Sequence, residues 1–267
     1  MAISCRSDPF NGRRVMDQRH IIDLTGKTAL ITGGSRGLGR EIALAYAAAG
    51  ADIIVTSRKI QNCEVVAKKV EAMGRKALPI AAHIGHWEEC DRLIDRAYGQ
   101  FSKIDILVNN AGKSPVYNKL SDISERLYDT VLDLNLKGPF RLSSVIGERM
   151  ADGSGGSIIN ISSFAAIRPR AHFITYAAAK SGMNAMTEAM AEALGPKVRV
   201  NCIMPGPFLT DVSKAWDMKA FSKRADDLIA LKRAGNPEEI VGAALYLASE
   251  HASFTTASTI RVDGGSR

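Results

Sequence analysis

KTALITGGSRGLGREIALAYAAAG, residues 27–50, decides how the rest of the chain is read. A short apolar run ending at Thr32 has the length of a buried strand, and REIALAYAAAG after the glycines has the length and periodicity of a helix. Glycines at 33, 37 and 39 let the backbone between them turn tightly and approach a pyrophosphate. The free N–H groups at the helix N-terminus favour that negative charge. The strand before and the helix after separate this loop from an ordinary glycine turn. Gly33, Ser35, Arg36, Gly37, Leu38 and Gly39 are therefore the expected phosphate-side contacts of a dinucleotide.

Outward from this loop, short apolar runs alternate with helix-length amphipathic stretches. KTALIT, ADIIVT, KALPIAA, IDILVNN, GSIINIS, VRVNCIM and STIRVDG read as buried strands. Strand and helix in repeated alternation predict an α/β fold: one Rossmann domain, a doubly wound parallel sheet of about seven strands with helices on both faces. A chain of 267 residues fits one such domain. The expected organisation is a basic, flexible tail over residues 1–25 and a catalytic domain over 26–267. The tail carries Arg6, Arg13, Arg14 and Arg19 but no apolar core of a secretory signal, and Asp8, Asp17 and Asp23 argue against a targeting peptide. Met16 is an alternative start.

Composition excludes several classes. No apolar run reaches the roughly 20 residues that cross a bilayer, so no membrane partner is expected. The net charge of +7 would suit nucleic acid, but the cations are scattered among acids with no basic block flanked by aromatics. No nucleic-acid partner is expected; a solvated surface and a phosphate-bearing cofactor account for the charge. Cys5, Cys63, Cys90 and Cys202 are far apart and read as reduced thiols of a cytoplasmic protein. The five histidines, His83 and His86 among them, have no ligand spacing, so no metal is expected.

The end of the second strand bears on which dinucleotide binds. An NAD site commonly has a carboxylate there, about 20 residues past the glycine loop, to hold the adenosine ribose. Ser57-Arg58-Lys59 stands in its place, and with Arg36 these cations suit a 2′-phosphate. NADP(H) is expected over NAD(H).

Tyr176 and Lys180, in YAAAKSGMNAMTEAMAEAL, lie one helical turn apart on one face. A nearby ammonium favours a phenolate, so the pair would let the tyrosine exchange a proton nearer neutral pH. Such a pair also occurs by chance on amphipathic helices. Ser163, thirteen residues upstream, and the glycine loop make it specific.

TGGSRGLG at 32–39, NNAG at 109–112, LNLKG with Asn135, ISS at 161–163, YAAAK at 176–180, PGPFLT at 205–210 and VDGG at 262–265 stand in one order. The chain from about residue 25 to 266 thereby resembles the classical short-chain dehydrogenase/reductase family. The resemblance implies that Tyr176 is the proton donor in carbonyl reduction and the base in alcohol oxidation. Lys180 would lower the tyrosine pKa and hold the nicotinamide ribose, Ser163 would bind the substrate oxygen, and Asn135 would link Lys180 to solvent through a water. Ser162 would be structural. The same resemblance makes Asn109, Ala111 and Gly112 the turn lining the adenosine ribose, and sets Pro205, Gly206, Phe208 and Thr210 at the turn beside the nicotinamide, with Thr210 near its carboxamide or the pyrophosphate. His83-Ile84 departs from the family's frequent Asp-Val, leaving the adenine contact to a histidine ring that would stack or hydrogen-bond. Ala257, where glycine is common, is a minor departure.

Substrate choice in such a fold belongs to loops, here Lys113–Leu120, Phe164–Phe173 and Asp211–Ala234. Segment 211–234 carries Trp216, Met218, Phe221, Leu228, Ile229 and Leu231, a pattern suiting either a mobile lid or a helix packed permanently on the body. Arg168 and Arg170 would face either an acidic substrate or plain solvent. Ala178, Met183, Met186 and Met190 form a stripe expected in the core or at a subunit interface, and the resemblance implies a homotetramer or homodimer.

The function expected is an NADP(H)-dependent oxidoreductase interconverting a carbonyl and a secondary alcohol in a medium-sized, largely apolar small molecule. Two alternatives stand beside it, a 3-oxoacyl-[acyl-carrier-protein] reductase and a non-catalytic nucleotide-binding regulator. Enoyl reduction is set aside because family members with that activity generally space their tyrosine and lysine more widely.

Overall fold

The computed structural model describes residues 22–211, 213 and 216–267. The tail assigned to residues 1–25 falls mostly outside the described residues. Its last part does not: Ile22 and Leu24 pack against the body, Leu24 is buried, and its N–H donates to Ala49 O at 2.7 Å.

All seven expected strands form. They are β1 (Thr28–Thr32), β2 (Asp52–Ser57), β3 (Ala77–Ala81), β4 (Ile106–Asn109), β5 (Gly156–Ile161), β6 (Val198–Pro205) and β7 (Thr259–Val262). They pair in parallel throughout, in the order β3-β2-β1-β4-β5-β6-β7. Central strands are apolar on both faces because both faces are covered, and alternate residues supply two separate cores. Ile31, Ile53, Val55, Ile106, Val108 and Ile159 face one way. They pack against α1 (Gly37–Ala48), α2 (Ile60–Ala72) and α8 (Val241–Ala248). Leu30, Ile54, Leu107 and Ile158 face the other, against α3 (Trp87–Tyr98), α5 (Gly138–Asp152) and α6 (Ile174–Leu194).

The strand order runs outward in one direction from β1 through β2 to β3, and in the other from β4. The crossovers after β1 and β4 therefore leave toward opposite faces and open a crevice at the carboxyl ends of these two strands. Between β4 and α5 the chain forms α4 (Glu125–Leu132), capped by Ser124 Oγ accepting from Leu127 N at 3.2 Å, and then a π-helical turn, Asp133–Lys137. After β6 comes α7 (Met218–Leu228). Its Phe221 and Ala225 join Ile229 and Ala234 in a small core of their own, with Trp216 stacked on Phe221. Among the described residues no helix is long and apolar enough to cross a membrane.

Candidate active site

The glycine loop is bound to β4 across the crevice. Thr32 Oγ1 donates to Val108 O at 3.3 Å and accepts from the backbone N–H groups of Asn110 at 2.9 Å and Ala111 at 3.0 Å. Asn110 Nδ2 returns hydrogen bonds to Thr32 O at 3.0 Å and Gly33 O at 3.2 Å. Gly33 and Gly37 take φ of 63° and 53°, the left-handed region that glycine enters without steric cost. Gly39 has a different reason to be glycine: a Cβ there would run into Asn110 Nδ2 and lie 2.6 Å from Gly33 O. Arg36 at the N-cap of α1 gives no side-chain cap, so the first-turn N–H groups keep the donor capacity a phosphate needs. Its guanidinium lies 3.7 Å from Asp211 Oδ2, and Thr210 Cγ2 lies 3.5 Å from where a Cβ on Gly37 would be. The segment after β6 thus reaches over the loop.

At the far end of the crevice Ser57 Oγ donates to Lys59 O at 3.3 Å, turning the chain so that Arg58 and Lys59 are exposed. His83 follows β3 and is half-buried. Burial, with the charges of His86 and Arg58 adding to it, lowers its pKa, so the ring is neutral near pH 7. Its Nδ1 accepts from Gly85 N at 3.2 Å, which puts the ring hydrogen on Nε2.

Three residues expected at the cofactor turn their side chains inward instead. Asn109 is fully buried and donates to Ser143 Oγ at 2.8 Å and Asn160 Oδ1 at 2.9 Å, because the strand pleat directs it under the sheet toward α5. Ile84 belongs to the core beneath α3, and Phe208 packs in the opposite core against Gly235. Only their backbones remain for a ligand. The residue doing the side-chain work is the second asparagine of the NNAG stretch, Asn110, together with Thr32.

Tyr176 lies in the first turn of α6 and Lys180 one turn later. Lys180 is 2% exposed; its Nζ donates to Ile161 O at 2.7 Å and sits 5.8 Å from the centre of the Tyr176 ring. Among the described residues no carboxylate pairs with it, and burial lowers its pKa to about 8. Ser163 Oγ accepts from Ala165 N at 3.1 Å and lies near enough to Tyr176 to act on its phenol. Ser163 lowers the tyrosine pKa, but burial raises it more. The expected direction is therefore reversed: desolvation of the phenolate outweighs the help of Ser163. Ser162 is structural, its Oγ donating to Asn184 Oδ1 at 2.6 Å.

Asn135 occupies the π turn and is fully buried. A Cβ on Gly112 would lie 2.8 Å from its Oδ1 and 3.7 Å from Lys180 Nζ, so these groups line one wall. Its Nδ2 donates to Lys113 O and Val131 O, both at 2.9 Å, and its Oδ1 accepts from Lys113 N at 3.3 Å. The amide is spent on backbone, with one oxygen lone pair left over. Pro205 and Gly206 close the opposite wall at the end of β6, where Gly206 N donates to Val262 O at 3.0 Å.

A sequence model of the family described as enoyl-(acyl carrier protein) reductase matches residues 33–267, nearly the whole folded body. The chain belongs to the short-chain dehydrogenase/reductase family. Dehydrogenase/reductase SDR family member 4 of Oryctolagus cuniculus is 34% identical over 91% of this chain and 94% of its own. Among solved structures, L-sorbose reductase from Gluconobacter frateurii, complexed with NADPH and L-sorbose, is 28% identical with a TM-score of 0.85, covering 92% of this chain and 98% of that one. A 7α-hydroxysteroid dehydrogenase complexed with NADH and 7-oxo glycochenodeoxycholic acid is 32% identical with a TM-score of 0.86, covering 92% and 96%. As a member of the short-chain dehydrogenase/reductase family the chain is an oxidoreductase. These two solved relatives differ in both the nucleotide and the substrate they hold.

Proposed function

We propose that this oxidoreductase uses NADP(H) to interconvert a carbonyl and a secondary alcohol in a medium-sized, largely apolar molecule. The observation that carries the reading is the buried Lys180 on the crevice wall, its Nζ 5.8 Å from the centre of the Tyr176 ring, with Ser163 acting on the same phenol. A serine hydroxyl and a phenol set beside one another in this way suit a carbonyl oxygen bound between them.

The residues fit the cofactor. The close approach at Gly39 and the uncapped start of α1 suit a pyrophosphate. Exposed Arg58 and Lys59, with no carboxylate at the end of β2, suit the 2′-phosphate of NADP(H), and the neutral His83 ring suits stacking on or hydrogen bonding to the adenine. When bound, the nicotinamide supplies or accepts a hydride. The chain does the rest: Ser163 donates to the substrate oxygen, and Tyr176 gives it a proton in reduction or removes one in oxidation. A pKa held up by burial keeps Tyr176 protonated at neutral pH, the form reduction requires. Lys180 sets a positive charge behind the phenol. The one-turn spacing of Tyr176 and Lys180 supports carbonyl over enoyl chemistry.

Exposed Val116, Ile167, Ile174, Leu209 and Met218, all on or beside the three substrate loops, support an apolar substrate. We assign segment 211–234, with its separate small core, as the lid. Exposed Arg168 and Arg170 favour one second reading, an acyl thioester delivered by an acidic carrier protein. On the outer side, Leu132, Leu136, Phe140 and Met186 line a groove of about 800 Å³ between α4, α5 and α6, which supports a homotetramer or homodimer packed through these helices. Of the expected stripe, Met183 is buried in the body and does not serve it, whereas Met190, though largely buried, lines the groove with Met186. The free, buried Cys63, Cys90 and Cys202 support a cytoplasmic, reducing setting.

The test is NADPH oxidation against ketones, diketones, sugars, steroids and acyl thioesters, with and without carrier protein. Tyr176→Phe should keep NADPH binding and lose most turnover, since only the proton-transfer group is removed. Unchanged turnover rejects the role of Tyr176, and equal affinity for NADPH and NADH rejects the nucleotide preference.

A further inference from the structure

The helix that carries Tyr176 begins without a cap of its own. Phe173 stands at the N-cap of α6 and has no side-chain hydrogen bond, while Tyr176 falls within the first turn, where backbone N–H groups lack intrahelical partners. A helix start of this kind frays unless another group satisfies it. One group does, from a distant loop. Tyr117 Oη accepts from Ile174 N, the first N–H of the helix, at 2.9 Å and donates to Ala171 O at 2.6 Å. The same loop is held at its foot, where Lys113 N and Lys113 O bond to the Asn135 amide. Residues 113–117 therefore run as a strap from the π turn behind Lys180 to the turn that bears Tyr176. Val116 on this strap is 80% exposed.

We infer that Tyr117 is a positioning residue: its hydroxyl caps α6 in trans, fixes the turn bearing Tyr176, and couples contact on the 113–120 loop to the placement of the proton-transfer group. The inference rests on the reading of Tyr176 as that group. A phenol suits the task because it donates and accepts at once, and the bond to Ala171 O orients its lone pair toward Ile174 N.

Tyr117→Phe deletes one oxygen and leaves the ring, so the fold should be retained, as a thermal unfolding midpoint within about 2 °C of the parent would record. Two quantities are then read. The first is hydrogen exchange of the Ile174 amide in the nucleotide-bound protein, expected to quicken about tenfold. The second is turnover of the best carbonyl substrate, where kcat should fall about tenfold while the NADPH dissociation constant stays within about twofold. Exchange that does not change overturns the cap. Quickened exchange with unchanged kcat overturns the positioning role and leaves a structural hydrogen bond, as does a loss carried by NADPH affinity alone. Exchange needs no substrate: a parent protein that reduces no carbonyl sinks the proposed function and the coupling with it, while the exchange result still decides the cap.

Discussion

Replacing Lys180 with methionine should stabilise this protein at pH 7 and do so far less at pH 10. The ammonium is 2% exposed, and its compensation is one carbonyl, Ile161 O, at 2.7 Å and one weak acceptor, Met183 Sδ, at 3.7 Å. Burial brings its pKa from 10.5 down to about 8. Between these two values the unfolded chain binds a proton that the folded chain has released, so stability from this group rises with pH across that window. Below pH 8 the folded state bears the whole cost of a buried charge. At about 1.36 kcal/mol per pKa unit the cost is roughly 3 kcal/mol at pH 7 and under about 1 kcal/mol at pH 10, a change of about 2.5 kcal/mol. Methionine fills similar volume and carries no proton. Any pH-independent change, such as the lost donor to Ile161 O, cancels when the two pH values are compared. Urea unfolding of both nucleotide-free proteins, at one protein concentration and at pH 7 and pH 10, measures the double difference. A gain on substitution that is the same at both pH values within about 0.5 kcal/mol, or that grows with pH, would refute the claim that Lys180 is held as a strained cation. The stabilised variant should also be inactive, the usual exchange of stability for function at a catalytic charge.

Two substitutions test the nucleotide crevice. Gly39→Ala brings a Cβ against Asn110 Nδ2 and to 2.6 Å from Gly33 O, so the loop must shift; NADPH affinity should fall at least about tenfold, with a stability loss of about 1–3 kcal/mol. Fluorescence titration and urea unfolding read the two effects, and undiminished binding would mean that the nucleotide does not approach the loop. Arg58→Glu reverses an exposed charge beside β2 and should weaken NADPH at least about tenfold while NADH stays within about threefold; equal loss for both would show that Arg58 does not read the 2′-phosphate.

What the sequence by itself determined is what local spacing carries. Seven apolar runs of strand length became seven parallel strands, since burial on both faces selects continuous apolar residues whatever their distant partners are. Glycines at 33 and 37 were legible as a loop because their positive φ is a local demand, and Tyr176 with Lys180 as a pair because a helix turns once in about four residues. Tertiary structure decided the matters that depend on groups far apart along the chain. The hydrogen bond from Asn110 N to Thr32 spans 78 residues, and which asparagine of the NNAG stretch faces the crevice depends on the pleat of a strand already paired on both sides. Asn135 is spent on Lys113 and Val131 through a π turn that no local pattern announces, and Tyr117 finds the start of α6 across 57 residues. The sign of the Tyr176 shift belongs here too. Proximity of a cation is written in the sequence, whereas desolvation sums over every atom that excludes water from the phenol, and that sum exists only once the chain has folded.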